Sequence, residues 1–386
     1  MTAPIYPWRQ DNQFELAVDG ENFFPKILEA IEQSNKTIDI ELYLVESGEA
    51  TATTIKALLA AVRRGVSVRC LFDDLGSSEF SEVERNALRD GGVELRIYNP
   101  LRWKRGLGNL HRDHRKILVF DNQLAMVGGF GLSDEFCLPS VHGRTCWHDQ
   151  MLAITGPVVA DWRALFERAW QQVDGPRITA SRLVNSRDKR PPAPPGNHGW
   201  ARVAHLDSRL NNEVLQALLE SVRKAEKRVW LATPYFLPAW RVRRALQKAA
   251  LRGVDVRLLL CGQIMDHPPV RYAGQRYYSR LLRAGIRIFE YKPRFLHLKS
   301  ALVDDWVSLG SCNFDHWSLH WNLEANLHAR DQHLSAQVQN TFEKDFSDSH
   351  EWTLEAWHDL PLSHRLKIRV WGQINRWVTM WFNIKR

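Results

Sequence analysis

One segment of this chain occurs twice, and that constrains its architecture more than any other feature. RRGVSVRCLF, with Arg64, Gly65, Val66, Val68 and Arg69, returns as LRGVDVRLLL, with Arg252, Gly253, Val254, Val256 and Arg257. Further on, GVELRIYNP at 92–100 is matched by GIRIFEYKP at 285–293, with Gly, Tyr and Pro in step. A duplicated unit must bury the same apolar faces in the same way each time, so it dictates the fold. Each copy reads helix, Arg-Gly-Val turn, strand, helix, glycine, strand. KILEAIEQSNKTIDIELYLV places a helix and a strand ahead of the first copy, and VLQALLESVRKAEKRVWLATPYF ahead of the second. Strands alternating with helices predict an α/β fold built twice: two similar lobes, each a mixed β-sheet flanked by helices.

Between the halves, SRDKRPPAPPGNHG carries four prolines and a charge cluster without apolar periodicity, which predicts a linker over 175–200. The lobes then span 1–174 and 201–360, and 361–386 forms a basic amphipathic C-terminal helix. With 386 residues and 44% apolar content the chain can bury two cores of ordinary size. Duplicate lobes that face each other create a cleft, and a site made of equivalent residues belongs there.

The chemistry-bearing residues obey the repeat. HRKILVFD supplies His114, Lys116 and Asp121, followed by Gly128 and Gly129; HLKSALVD supplies His297, Lys299 and Asp304, followed by Gly310, Ser311 and Asn313. Residues two apart on a strand share a face, so each pair aims an imidazole and an ammonium at one anion. One such triplet arises by chance often enough to carry little weight; two at equivalent points of a repeat do not. Displacement at a phosphodiester needs a nucleophile, a proton donor for the departing alkoxide, and cations on the non-bridging oxygens. Two histidines and two lysines supply all three without a metal ion or other cofactor. Each histidine also needs a carboxylate or carbonyl on its second ring nitrogen. Asp149 in TCWHDQMLAITGP and Glu324 in WNLEANLH follow the histidines of their own halves on strand-like stretches, and are expected to orient them. His111, without further clustered ligands, is expected to be a loop or surface residue.

These residues resemble the HKD motifs of the phospholipase D superfamily, and within it the chain is most similar to bacterial cardiolipin synthases of the type lacking N-terminal transmembrane helices. DGENFFPKILEAI, WHDQMLAITGP, TPYFLP and GSCNFDHWSLHWNLEAN extend the likeness along nearly the whole chain. The resemblance implies a phosphatidyltransferase that makes cardiolipin through a phosphohistidine, joining two phosphatidylglycerols with release of glycerol or using another phospholipid as phosphatidyl donor. It implies His114 as nucleophile, His297 as acid and base, Lys116 and Lys299 on phosphate, Asp121 and Asp304 supporting the site, and no cofactor. Gly131 departs from the family pattern, which has Asn there as Asn313 stands in the second motif. The first lobe also carries an insert, LRWKRGLGNLHRD, whose Arg102, Lys104, Arg105 and Arg112 beside Trp103 and Leu107 suit an anionic membrane surface.

A net charge of +8 biases the surface toward anionic partners. The expected partner is an anionic phospholipid membrane, with no nucleic acid expected. Five cysteines, Cys70, Cys137, Cys146, Cys261 and Cys312, without a Cys-x-x-Cys pair, predict neither a disulfide framework nor a zinc site and fit a reducing compartment. With no leader or spanning run visible, the expected location is peripheral, on the cytoplasmic side of the cell membrane. In HRLKIRVWGQINRWVTMWFNIKR, Val370, Trp371, Ile374, Trp377, Val378, Trp381 and Phe382 recur at helical spacing among Arg365, Lys367, Arg369, Arg376, Lys385 and Arg386. That stripe suits either the lipid headgroup boundary or packing on the second lobe. Two other functions use the same residues: a phosphodiesterase with water as acceptor, whether phospholipase or nuclease, and a catalytically silent lipid-binding protein.

Overall fold

The computed structural model describes residues 6–136, 146–174, 194, 196–207, 211–315 and 321–384, with backbone alone at 174, 211 and 378–384. Most of the expected linker, together with Cys137, lies outside this set. The first lobe comprises β1 (Gln13–Val18), α1 (Gly20–Gln33), β2 (Thr37–Leu42), α2 (Glu49–Arg63), β3 (Ser67–Asp73), α3 (Glu82–Asp90) and β4 (Glu94–Tyr98). It continues with β5 (Arg112–Asp113), β6 (Ile117–Phe120), β7 (Leu124–Gly128), β8 (Gln150–Thr155) and α4 (Val159–Asp174). Its sheet runs β1-β8-β7-β6-β2-β3-β4; β2, β3 and β4 pair in parallel and the rest antiparallel.

The second lobe repeats this order. It comprises β9 (Trp200–Asp207), β10 (Asn211–Asn212), α5 (Glu213–Lys224), β11 (Arg228–Thr233), α6 (Trp240–Leu251), β12 (Asp255–Cys261), α7 (Pro268–Gln275), α8 (Tyr278–Arg283) and β13 (Arg287–Tyr291). β14 (Ser300–Val303), β15 (Trp306–Gly310), β16 (Asn322–Arg330), α9 (Gln332–Ser347), β17 (Ser349–Trp352), α10 (Leu354–His358) and α11 (Leu362–Ile384) follow. Strands β9-β16-β15-β14-β11-β12-β13 reproduce the first sheet position for position, with β10 and β17 added at its edges. The recurring Arg-Gly-Val is the helix-to-strand turn: Gly65 and Gly253 hold φ of 91° and 89°, a region open to glycine and strained for other residues.

The inner faces of both sheets close on one apolar core. Ile117, Val119, Leu152 and Ile154 from the first sheet meet Val203, Trp230, Leu259 and Leu327 from the second, with Trp162 of α4 and Phe342 of α9 between them. Helix α4 reaches across to β9, and α9 to β1. The lobes are therefore fused through buried apolar surface rather than merely tethered. Outer faces are covered by α1, α2 and α3 on the first sheet and by α5, α6 and α8 on the second. The short β5 leaves its own sheet and pairs in parallel with the start of β16, while an isolated bridge joins His148 to Leu296.

Two expectations need correction. Cys146 is disulfide-bonded, whereas Cys70, Cys261 and Cys312 are free and buried; sequence spacing offered no motif to flag the bond. Arg112 of the insert does not face a membrane. It is buried, donating to Asp73 at 3.3 Å and to the Asn99 carbonyl at 3.1 Å, and so pins the insert's base. Among the described residues no helix is long and apolar enough to cross a membrane.

Candidate active site

The exchanged strands bring the two motifs together. His114 N donates to Leu323 O (3.0 Å), His148 N to Phe295 O and His297 N to His148 O (both 2.8 Å). Each motif is thereby sewn by backbone hydrogen bonds to the strand that carries the other lobe's carboxylate. The histidine–carboxylate pairs consequently cross between lobes, contrary to the expectation that each half would orient its own histidine. His114 Nδ1 meets Glu324 Oε2 at 3.1 Å, and His297 Nδ1 meets Asp149 Oδ2 at 2.6 Å. Sequence distance favoured the wrong partner because strand exchange is a long-range event that local patterning does not encode.

The two half-sites differ in detail. Ser311 Oγ donates to Glu324 Oε2 at 2.5 Å and Asn322 Nδ2 to Oε1 at 3.3 Å, whereas Asp149 Oδ1 accepts from Gln150 N at 2.7 Å. His297 lies among Phe136, Trp147 and Phe295, with ring centroids 5.1 to 5.7 Å away; His114 packs on Tyr43 at 4.8 Å. Each lysine donates to the carbonyl of its own histidine, Lys116 at 2.6 Å and Lys299 at 2.5 Å. His114, Lys116, His297 and Asn313 open on a cavity of about 510 Å³. Asn313 Oδ1 is buried there without a hydrogen-bond partner among the described residues.

Burial governs the electrostatics. It holds both imidazoles well below their usual pKa, helped by the Lys116 and Lys299 cations, so both rings are neutral. Lys116 is lowered to about 7 and Lys299 to about 8, chiefly by burial. The same burial pushes Asp149 up to about 6 and Glu324 up to about 8, against the pull of the lysines. A phosphodiester anion between these groups raises the proton affinity of all four basic side chains, by the same Coulomb effect acting in reverse. With both Nδ1 atoms held by carboxylates, both Nε2 atoms are the reactive positions.

Asp121 and Asp304 are not brought into the cavity. Each sits at positive φ in the turn after its motif strand and accepts three backbone N–H groups: Asn35, Lys36 and Thr37 for Asp121, and Glu226, Lys227 and Arg228 for Asp304. They clamp the loop ahead of the neighbouring antiparallel strand, β2 or β11, and touch no reacting group. Gly131 has a packing cause, since a Cβ there would come within 2.7 Å of the Leu44 carbonyl oxygen, which accepts from Leu132 N. Leu44 lines the cavity on that side, where the second half presents Asn313. His111, half-buried, packs its ring on Trp321 at 5.1 Å.

Several cavity residues escaped the sequence analysis. Tyr43, Trp147, Tyr235, Asp266 and His267 line it, as do Trp371, Ile374 and Asn375 of α11. Their only advance signal was proximity to the motifs and, for α11, the apolar stripe. His148, beside Asp149, was also missed. Its Nδ1 faces Asp19 at 2.7 Å and its Nε2 faces Asp345 at 3.0 Å, while Arg294 donates to Asp19. This buried clamp ties α1 of one lobe to α9 of the other beneath the His297 pair.

Comparison with known proteins places these features in context. A family model described as "Cardiolipin synthase, PLD-like domain" matches residues 27–170 and 218–346. The chain is 32% identical to cardiolipin synthase B of Salmonella typhi over 339 residues, covering 87% of this chain and 81% of that one. It is 32% identical to cardiolipin synthase A of Pseudomonas entomophila over 363 residues, covering 94% and 73%. The crystal structure of phosphatidylserine synthase from Haemophilus influenzae superposes with a TM-score of 0.68 over 96% of both chains at 15% identity, a likeness of fold.

Proposed function

The chain belongs to the cardiolipin synthase family of PLD-like proteins, and we propose that it makes cardiolipin by double displacement on the neutral imidazole of His114. It is a phosphatidyltransferase. Phosphatidylglycerol enters with its phosphate between Lys116 and Lys299. The substrate's phosphate anion draws a proton onto His297 Nε2 as it enters; His114 Nε2 then attacks phosphorus, the bond to the headgroup glycerol breaks, and His297 gives that oxygen its Nε2 proton, releasing glycerol and leaving the phosphatidyl group on His114. The headgroup hydroxyl of a second phosphatidylglycerol then yields its proton to His297 and attacks phosphorus. The P–N bond breaks and cardiolipin departs. Glu324 and Asp149 hold the two rings in register, Ser311 steadies Glu324, and Asn313 offers its amide to the phosphate. His114 is assigned as nucleophile by the resemblance of its motif to the N-terminal one of the family.

The observation that supports this reading best is the pair of buried imidazoles, each held by a carboxylate of the opposite lobe, opening with Lys116 on one cavity while Lys299 lies buried against the His297 carbonyl. We place the enzyme peripherally on the cytoplasmic face of the cell membrane. The test is incubation with phosphatidylglycerol vesicles in the presence of chelator, following products by mass spectrometry. Cardiolipin and glycerol are expected from the wild type and from neither His114→Ala nor His297→Ala. Phosphatidic acid in place of cardiolipin would make water the acceptor and overturn the transferase assignment.

A further inference from the structure

Helix α11 has two opposed faces, and among the described residues only one is packed against protein. On the inner face Ile368 is buried, Gly372 O accepts from Arg276 Nη1 at 2.6 Å, and His364 Nε2 lies 2.9 Å from Gln275 Oε1. A Cβ on Gly372 would meet Arg276 Cδ at 3.3 Å, a tight contact that marks how closely the helix seats against the end of α7. At about 100° per residue, Leu362, Leu366, Val370 and Trp377 fall together on the opposite face. They are 82%, 61%, 46% and 66% exposed. Arg365, Arg369 and Arg376 run along one border of this stripe and Lys367 along the other. Packing and exposure therefore coexist on one rigidly oriented helix.

The stripe continues into the active site. Ile374 is 44% exposed at the edge of the outer face and also lines the cavity, as does Trp371, next round the helix. Val270 and Ala273 of α7 line it as well, beside Pro269. Apolar side chains of α11 and α7 thus stand between the outside of α11 and the cavity on which the histidines open. A cavity of about 510 Å³ is of a size for a small ligand, suited to a headgroup and glycerol backbone and not to the acyl chains of two phospholipids.

We propose that α11 docks flat in an anionic lipid surface through its outer stripe and basic borders, and that its Ile374–Trp371 edge is the wall along which a phospholipid headgroup leaves that surface for the cavity while its acyl chains stay in lipid. This deepens the function proposed above and rests on it for the passage step; the docking step stands on the helix alone. A lipid surface is the occupant because it matches both chemistries of this face at once, apolar at the centre and cationic at the rims.

The test uses the full chain with Leu366→Glu and Val370→Glu combined, both being exposed side chains away from the histidines. Sedimentation with vesicles of phosphatidylglycerol and phosphatidylcholine should show about a hundredfold weaker binding than wild type. Turnover on vesicles should fall in parallel, while turnover of a monomeric short-chain phosphatidylglycerol stays within about threefold. Wild-type binding should weaken with added salt and on pure phosphatidylcholine. Unchanged vesicle binding by the double variant overturns docking, as does equal binding to uncharged vesicles. Concentration-dependent dimerisation of the wild type, lost in the variant while vesicle binding persists, would assign the stripe to a second copy instead. Absence of short-chain turnover in the wild type refutes the catalytic reading and leaves the binding comparison to decide docking.

Discussion

Asp149→Asn isolates the crossed wiring of the active site. The carboxylate lies 2.6 Å from His297 Nδ1, is fully buried, and is held near pKa 6 by burial, so it is ionised at pH 7.5. A charge-assisted hydrogen bond of this kind contributes about 1.5–3 kcal/mol, which is about 10- to 150-fold in rate. Loss of tautomer control on an acid–base histidine can raise this to about 10⁴. Turnover of phosphatidylglycerol should therefore fall by about 10- to 10⁴-fold. Glu324→Gln removes a longer contact, 3.1 Å, from a carboxyl that burial has already pushed up to about 8, and should cost about 10- to 100-fold. The decisive assay is a rapid-mixing burst with a phosphodiester whose leaving group is p-nitrophenolate, which departs without a proton donor. If Asp149 serves His297, then Asp149→Asn and His297→Ala keep the burst, while Glu324→Gln slows it and His114→Ala abolishes it. Should the nucleophile be His297, the two pairs exchange behaviour but stay paired. Asp149→Asn behaving like His114→Ala would falsify the crossed assignment.

Two further outcomes follow from the same geometry. Asp121→Ala and Asp304→Ala strip three backbone N–H acceptor contacts each from turns outside the cavity. Thermal unfolding should shift to lower temperature with kcat within about twofold of wild type; a hundredfold loss of kcat in a folded variant would return these residues to the chemistry. For His148, burial lowers the pKa, but Asp19 and Asp345 outweigh it and raise it to about 9. A raised pKa means that the clamp's stabilisation is complete below the ordinary histidine value of about 6.5 and is lost as pH rises through about 9. The gap in unfolding temperature between wild type and His148→Gln should therefore narrow from pH 6.5 to pH 9.5, and a pH-independent gap would remove the charged clamp from the account.

The duplication was legible because Gly65 and Gly253, and the strands after them, are local features: a turn that requires positive φ and an apolar run that requires burial. His114, Lys116, His297 and Lys299 were legible for the same reason, a two-residue spacing on a strand repeated at equivalent points. Asp149 and Glu324 were visible as carboxylates but not as partners. Their pairing depends on β5 joining the second sheet and on His148 bridging to Leu296, contacts between residues far apart in the chain. Asp121 and Asp304 show the converse difficulty, for a motif residue can recur because it holds a turn rather than because it meets substrate. Helix α11 was read as facing either lipid or protein because a one-dimensional stripe does not reveal two opposed faces. Trp371 and Ile374 enter the cavity only through the seating of α11 on α7, which no periodicity encodes.

The exchange of strands between lobes also bears on how the chain comes into being. During synthesis the N-terminal lobe emerges first with His114 in place and Asp149 awaiting a histidine that has not yet been made. Glu324, which will steady His114, arrives more than two hundred residues later. Until both sheets have closed on their common core, no histidine has its carboxylate and no phosphate site has both lysines. A nascent or half-degraded chain is thus unable to cut the membrane lipids around it, and catalytic competence serves as a certificate that folding is complete.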